Sequence, residues 1–174
     1  MAKKDLYGYI YHAEAPYEVL ANTTLSFEEI NRLHHIEAVL ERFSNSGRFP
    51  RAMTVLTKDR KPFSVFESLA DYIPTPNLLS QREAYSTLLA FEKDKGEVCR
   101  YNELKDALAL DFLLNEQGRL PPSLDYHPLP LSREEKQSFR NAHPEAFLPA
   151  VECYYISTYG KILVDRKNKF FISE

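Results

Sequence analysis

The 174-residue chain is poor in the residue types on which many functional sites depend. It has no Trp, two Cys and five Gly. The cysteines, Cys99 and Cys153, lie far apart and cannot supply the three or four closely spaced thiolates that hold an iron–sulfur cluster. Two isolated thiols also exclude a disulfide framework, which is typical of oxidising compartments. We therefore expect a cytoplasmic protein in which both cysteines are small buried apolar groups.

Motifs that bind phosphate or carry out hydrolysis are also absent. The five glycines are single, so there is no G-x-G-x-x-G or Walker loop to hold a nucleotide. There is no G-x-S-x-G nucleophile elbow, no H-E-x-x-H zinc motif and no pair of E-x-x-H repeats for a di-iron bundle. The sequence therefore predicts no catalytic, cofactor-binding or metal-binding residue in this chain.

Long apolar runs and an excess of positive charge are missing too. No stretch approaches the roughly 18 apolar residues of a membrane span, and the first residues lack the apolar core of a signal peptide. The net charge is −3 with the two signs interleaved, which argues against a nucleic-acid partner. The basic clusters at residues 58–61 and 166–169 are predicted to be solvated turns.

Helix signals, by contrast, are abundant. A Ser followed three residues later by Glu is the capping-box pattern, and it occurs at Ser26 and Glu29, Ser80 and Glu83, and Ser132 and Glu135. In the first of these helices, spacing predicts that Leu33, Ile36, Leu40 and Phe43 form one buried stripe before the stop at residues 45–47. In the second, Tyr85, Leu88 and Leu89 are apolar and Gly96 ends the helix; Pro144 ends the third.

Two further helices are predicted between these three. One covers residues 62–72, with Phe63, Phe66, Leu69 and Ile73 on its apolar face and Pro74 as its stop. The other begins near Asn102 and continues to the break at Gly118 and the following prolines. Residues 49–61 are not predicted to be helical.

The last quarter of the chain changes to a strand pattern. Residues 151–158, 162–164 and 170–172 are rich in β-branched and aromatic side chains and are separated by turn residues. We predict a C-terminal antiparallel β-meander, with a strand at residues 7–11 beside it. The fold class is therefore α+β, mainly α, with about five helices. The chain is predicted to be a single domain, 1–174, excised from a larger protein, with an entry segment 1–24, a helical core 25–145 and a β-meander 150–174.

The nearest approach to a ligand set is His34, His35 and Glu37. Consecutive helical residues point about 100° apart, so the two histidines cannot serve one small site. We interpret all three as polar residues flanking a packed face. Arg42 and Arg48 lie near the helix end. We interpret them as hydrogen-bond donors to carbonyl groups of the last turn or as solvated side chains.

Three segments together resemble one known domain family. They are PYEVLANTTLSFEEINRLHHIEAVLERFSNSGRF at residues 16–49, FSVFESLADYI at 63–73 and ALDFLLNEQGRLPPSL at 109–124. Their order and spacing resemble the C-terminal domain that follows the catalytic barrel in cobalamin-binding radical S-adenosylmethionine proteins, the iron–sulfur oxidoreductases. This chain departs from the family at Thr23 and Thr24, where Pro-Trp is usual.

The resemblance implies an accessory role. The parent enzyme would bind a [4Fe-4S] cluster, S-adenosylmethionine and cobalamin through upstream domains, and this chain would shape or close the substrate cavity without cofactors of its own. Pro16, Tyr17 and Glu18 would then contact the upstream barrel of the same polypeptide, which is the expected partner; no nucleic acid and no membrane are expected.

Two alternatives remain open from the residues. The first is a protein–protein interaction or dimerisation module, including a homodimer, which exposed members of the eleven Tyr and eleven Phe would favour. The second is an independent small-molecule-binding domain, which requires a pocket with converging polar groups.

Overall fold

A computed structural model describes residues 7–15 and 17–173. Within them the chain forms six α-helices, a short hairpin and a three-stranded sheet. The hairpin comprises β1 (Ile10–Tyr11) and β2 (Val19–Ala21). The helices are α1 (Phe27–Leu40), α2 (Pro50–Thr57), α3 (Pro62–Tyr72), α4 (Gln81–Asp94), α5 (Val98–Asn115) and α6 (Arg133–Ala142), and the sheet consists of β3 (Val151–Ile156), β4 (Gly160–Asp165) and β5 (Phe170–Ser173). The mainly helical α+β class is thereby confirmed, and none of the described helices is long and apolar enough to cross a bilayer.

Capping boxes start three of the helices as predicted. At α1 the Glu29 amide donates to Ser26 Oγ at 3.2 Å, and the Ser26 amide donates to Glu29 Oε2 at 2.8 Å. The same reciprocal pair occurs at α4 and α6. Each box satisfies two backbone donors that the first turn of a helix leaves without partners.

The buried face of α1 differs in part from the predicted stripe. Ile36, Val39 and Phe43 are buried, the last in a π-helical turn that extends α1 through residues 41–45. Leu33 is 44% exposed, so its assignment to the core was wrong. The helix presents His35 to α3 instead, where the ring Nε2 lies 3.0 Å from the Ala70 carbonyl oxygen and 2.9 Å from that of Ile73.

The helix α2 was missed by the sequence analysis. Its N-cap residue, Phe49, has no side-chain capping bond. Asp111 of α5 supplies the cap from 60 residues away: one carboxylate oxygen, Oδ2, accepts the amides of Arg51 and Ala52, each at 3.0 Å. A cap provided by another helix leaves no local pattern in the sequence.

The helical core centres on α5, which is buried on almost every side from Leu104 to Leu114. A helix that is apolar all round belongs inside a domain rather than at its surface. The helix begins at Val98, four residues before the predicted start, and Cys99 in its first turn is exposed; Cys153 is buried as expected. Phe63, predicted to be buried on α3, is 57% exposed.

The C-terminal meander forms as predicted, with strand order β3-β4-β5 and antiparallel pairing. One face carries Tyr154, Ile156, Ile162 and Val164 into the main core. The opposite face packs Cys153 and Leu163 against Phe139 of α6. The sheet therefore forms a layer between the helical core and α6.

The N-terminal strand does not join this sheet. Ile10 pairs with Ala21 and Tyr11 with Val19, so β1 and β2 form a separate hairpin, closed by the bond from the His12 amide to the Glu18 carbonyl at 2.9 Å. Closing a loop of a few residues costs much less entropy than pairing the two ends of the chain. The hairpin packs against α1 through β2.

Candidate functional site

A cleft of about 770 Å³ lies between the loop that follows α5 and the C-terminal sheet. We call residues 117–128 of this loop the strap. The strap forms one wall, with three prolines, Leu120 and Tyr126. The opposite wall comes from the start of β3 and the end of β4 and comprises Ala150, Glu152, Tyr154 and Arg166. A volume of this size is ordinary for a small-molecule site.

Arg166 is held in the lining of the cleft by two hydrogen bonds. Its Nη2 donates to the Glu116 carbonyl oxygen at 2.7 Å, and its Nη1 donates to Glu152 Oε2 at 3.3 Å. Tyr154 also donates its hydroxyl to Glu152 Oε2, at 2.7 Å. Burial, followed by this bond to a carboxylate, raises the pKa of Tyr154. The Tyr154 hydroxyl is therefore a hydrogen-bond donor at neutral pH.

Asp106, a buried residue of α5, joins the strap to the turn between β3 and β4. Tyr126 of the strap donates its hydroxyl to Asp106 Oδ1. Thr158, in the turn between β3 and β4, donates its amide to Asp106 Oδ2 at 2.7 Å and its hydroxyl at 2.6 Å. One buried carboxylate thus holds both walls of the cleft. Burial and the bond to Asp106 raise the pKa of Tyr126, so this hydroxyl too stays protonated.

Two polar side chains of the cleft remain available to bind a ligand. Arg119 and Gln117 line the cleft and make no side-chain hydrogen bond or ion pair within the described part of the chain. Of the two carboxylates on the lining, Glu152 is paired with Arg166, and Asp125 lies 3.7 Å from the His127 ring. Arg119 is the lining cation without an ion-pair partner among the described residues.

A further buried acid, Asp111, lies away from this cleft. Burial raises its pKa to about 6, against the opposing effect of its bonds from Ala52 and Arg51. Because both oxygens accept hydrogen bonds from α2 and from the Arg51 guanidinium, its role is to join two helices.

The residues predicted to contact an upstream barrel lie elsewhere. Tyr17 is 70% exposed and Glu18 is exposed, both next to the hairpin; Pro16 lies outside the described residues. Among the described residues, none before 117 lines the cleft. The sequence analysis missed the cleft because its signals, Gly118 and the prolines, were interpreted only as a helix break.

The histidine candidates are separated as predicted. His34 is exposed and lies 3.4 Å from Glu37 Oε2, whereas His35 faces α3. Among the described residues, no group of three or more His, Cys, Asp or Glu side chains could hold a metal ion. Of the two arginines, Arg42 donates to the Leu79 carbonyl oxygen at 2.8 Å, and Arg48 pairs with Glu116 at 2.7 Å. Neither therefore caps its own helix.

Exposed apolar side chains are concentrated at the N-terminal end. Of thirteen large apolar residues that are exposed in the described chain, six fall within residues 7–33, which we call the N-terminal apolar region. Three tyrosines run along the hairpin, with ring centroids 5.9 Å apart for Tyr7 and Tyr9 and 6.0 Å for Tyr9 and Tyr11. The six residues are Tyr7, Ile10, Tyr11, Tyr17, Phe27 and Leu33.

The fold and the cleft define a mainly helical α+β domain with a C-terminal meander and a preformed groove beside it. The chain belongs to the family described as "Protein of unknown function (DUF4080)", whose profile matches residues 5–161. No curated protein and no solved structure gives a significant match.

Proposed function

We propose that this chain is a non-catalytic accessory domain of a larger, cobalamin-dependent radical S-adenosylmethionine enzyme, and that it shapes or closes the substrate cavity. The resemblance of residues 16–49, 63–73 and 109–124 to the domain that follows such barrels supports the proposal. The family match covers the same three segments. The [4Fe-4S] cluster, S-adenosylmethionine and cobalamin would be bound by the upstream domains.

The observation that carries the proposal is the N-terminal apolar region. Exposed apolar residues scattered singly need no explanation, but several within one segment of the chain favour a role for that segment in binding a partner. Tyr17, Phe27 and Leu33 follow one another along the segment that the resemblance places next to the barrel. The upstream barrel of the same polypeptide is the partner that this placement favours.

The tyrosines of the cleft support a role without chemistry of its own. Their pKa values are raised, and both hydroxyl groups are committed to buried or half-buried carboxylates. Such groups give a cavity wall its shape and polarity. They would contribute to orientation of a substrate and to exclusion of water rather than to bond making.

Deletion in the full-length parent tests this role. Without the domain, cluster assembly and uncoupled cleavage of S-adenosylmethionine should persist, while turnover of the substrate should fall sharply. Full turnover by the deletion variant would reject the cavity role.

Point variants test the docking surface. Tyr17→Ser, Phe27→Ser and Leu33→Ser together should weaken association of the separately produced barrel and domain. Leu78→Ser with Val98→Ser is the matched control, since these side chains are 80% and 70% exposed but lie outside the N-terminal apolar region. Equal weakening by both sets would contradict a docking role for residues 7–33.

A second candidate function, a dimerisation or protein-interaction module, is favoured by the same exposed aromatics. Sedimentation equilibrium of the chain by itself distinguishes the two. If the chain forms a dimer and the substitutions at Tyr17, Phe27 and Leu33 dissociate it, then a second copy of the chain, and not the barrel, covers this surface.

A further inference from the structure

The cleft between the strap and β3 is built as a preformed site. Two part-buried polar links hold its lining residues in place, one from Arg166 to Glu116 and the other from Tyr126 through Asp106 to Thr158. Side chains held by such networks have their positions fixed before a ligand arrives. Binding to a preformed site avoids much of the entropy loss of ordering a flexible one.

The lining combines apolar groups, Leu120, Pro121, Pro122 and Pro128 with the rings of Tyr126 and Tyr154, and an almost equal share of polar surface. Apolar walls give a small-molecule site its contact area, and polar groups orient the ligand. The hydroxyl groups of both tyrosines are already committed to carboxylates, so their ring surfaces are what they offer to a ligand.

Charge decides which ligand would fit. Glu152 is paired with Arg166, whereas Arg119 has no ion-pair partner among the described residues and can therefore bind an acid group of a ligand. The Gln117 side chain, two positions before Arg119, also has none. A guanidinium binds a carboxylate through two parallel N–H donors, and an amide N–H adds a third.

We propose that this cleft binds a small organic carboxylate, with its acid group at Arg119 and Gln117 and its apolar body between the prolines and the tyrosine rings. The site is distinct from the N-terminal apolar region, because no residue of that region that the structure describes lines it. Binding by the chain on its own therefore does not depend on the accessory-domain proposal.

The test uses the ¹⁵N-labelled full chain, with phenylacetate and hexanoate as probes and phenylacetamide as the uncharged isostere. At least one acid should give saturable shifts of backbone amides in residues 117–127 and 150–154. Affinity should fall about tenfold for phenylacetamide and for Arg119→Gln, because either change removes the charged pair. Arg133→Gln, an arginine of α6 that does not line the cleft, should leave affinity unchanged.

Three results would each overturn the proposal. They are the absence of saturable shifts with both acids, equal binding of phenylacetate and its amide, and undiminished binding by Arg119→Gln. An equal loss with Arg133→Gln would show that the acids respond only to overall charge, which also rejects a site at Arg119. Failure here would leave the deletion and docking experiments unaffected.

Discussion

Single side chains that act far from their own position in the sequence hold much of this molecule together. Asp111 caps α2, Asp106 joins the strap to the β3–β4 turn, and Glu92 is buried against Arg60. The Arg60 guanidinium donates to both Glu92 oxygens, at 2.9 and 2.8 Å, so part of the cluster at residues 58–61 is a buried ion pair and not a solvated turn. Breaking such a pair leaves a buried charge without compensation.

The corrected face of α1 gives the first prediction. Phe43→Ala should lower the free energy of unfolding by about 3–5 kcal/mol, because it removes a fully buried ring and leaves a cavity. Leu33→Ala should change it by less than about 0.5 kcal/mol, since that side chain is 44% exposed. Urea denaturation of both variants measures the difference. A larger loss of unfolding free energy for Leu33→Ala than for Phe43→Ala would show that Leu33 is a core residue.

Asp111 gives a pH dependence whose sign is defined. Its pKa in the folded protein is about 6 against an ordinary value of 3.8, so between these values the folded state holds a proton that the unfolded chain has released. Its contribution to the free energy of unfolding must therefore fall as the pH rises from about 4 to about 6. Four other acids have lowered pKa values, and their contribution to the free energy of unfolding rises with pH in a lower pH range. They are Glu29, Glu83, Glu135 and Asp165.

Asp111→Asn isolates the contribution of this titration to stability. The substitution removes the titrating carboxyl group and keeps the shape of the side chain and one hydrogen-bond acceptor. Urea denaturation of both proteins between pH 4.5 and about 6.5 should show stability of the wild type decreasing relative to the variant. Parallel pH profiles would mean that the folded-state pKa of Asp111 is not raised.

At the scale of elements, the strap is held by Leu124, which is fully buried in the main core, and by a few polar contacts rather than by a strand pair. Leu129, just beyond it, forms one isolated bridge to Cys153, with its amide 2.7 Å from the Cys153 carbonyl oxygen. Pro128 and Pro130 flank Leu129 and have no amide hydrogen to extend the pairing. Segments attached by few bonds open locally without global unfolding.

Tyr126→Phe should loosen this segment. Asp106 Oδ1 would lose its donor, at a cost of about 1–3 kcal/mol for an incompletely satisfied buried group. Hydrogen exchange at the Leu129 amide should quicken more than exchange at core amides of α5. Tyr155→Phe is the control, since Tyr155 is 61% exposed and lies outside the cleft. Unchanged exchange at Leu129 would show that Tyr126 does not hold the strap.

At the scale of the whole molecule, the sheet and the helices share one core. Tyr154, Ile156, Ile162 and Val164 of the sheet belong to the same buried cluster as the side chains of α1, α4 and α5. The predicted helical core and β-meander are therefore separate segments of the sequence that share one hydrophobic core. The hairpin differs, because neither of its strands contributes a residue to that cluster.

Two truncations should consequently behave differently. Removal of residues 146–174 uncovers the apolar surface of the core, so the remainder should lose its cooperative thermal transition. Removal of residues 1–24 should leave a cooperative transition within a few degrees of that of the full chain. Calorimetry distinguishes these outcomes; a stable, cooperative 1–145 fragment would contradict the shared core.

The elements that the sequence determined by itself are those whose causes are local. Three capping boxes, the stops at Gly47 and Pro74, and the β-branched and aromatic runs of the meander with their turn residues depend on residues close to one another in sequence. Short-range hydrogen bonds and hydrophobic periodicity are therefore sufficient to predict them.

Tertiary structure alone decided the rest. α2 depends on a carboxylate 60 residues away, α1 turns His35 and not Leu33 toward α3, and the N-terminal strand pairs within its own hairpin. The cleft likewise exists only because Asp106 and Arg166 bring separate segments together. A buried polar group is stabilised by a hydrogen-bond partner. Here the partners are far apart in sequence, so the cap of α2 and the walls of the cleft depend on which elements pack side by side.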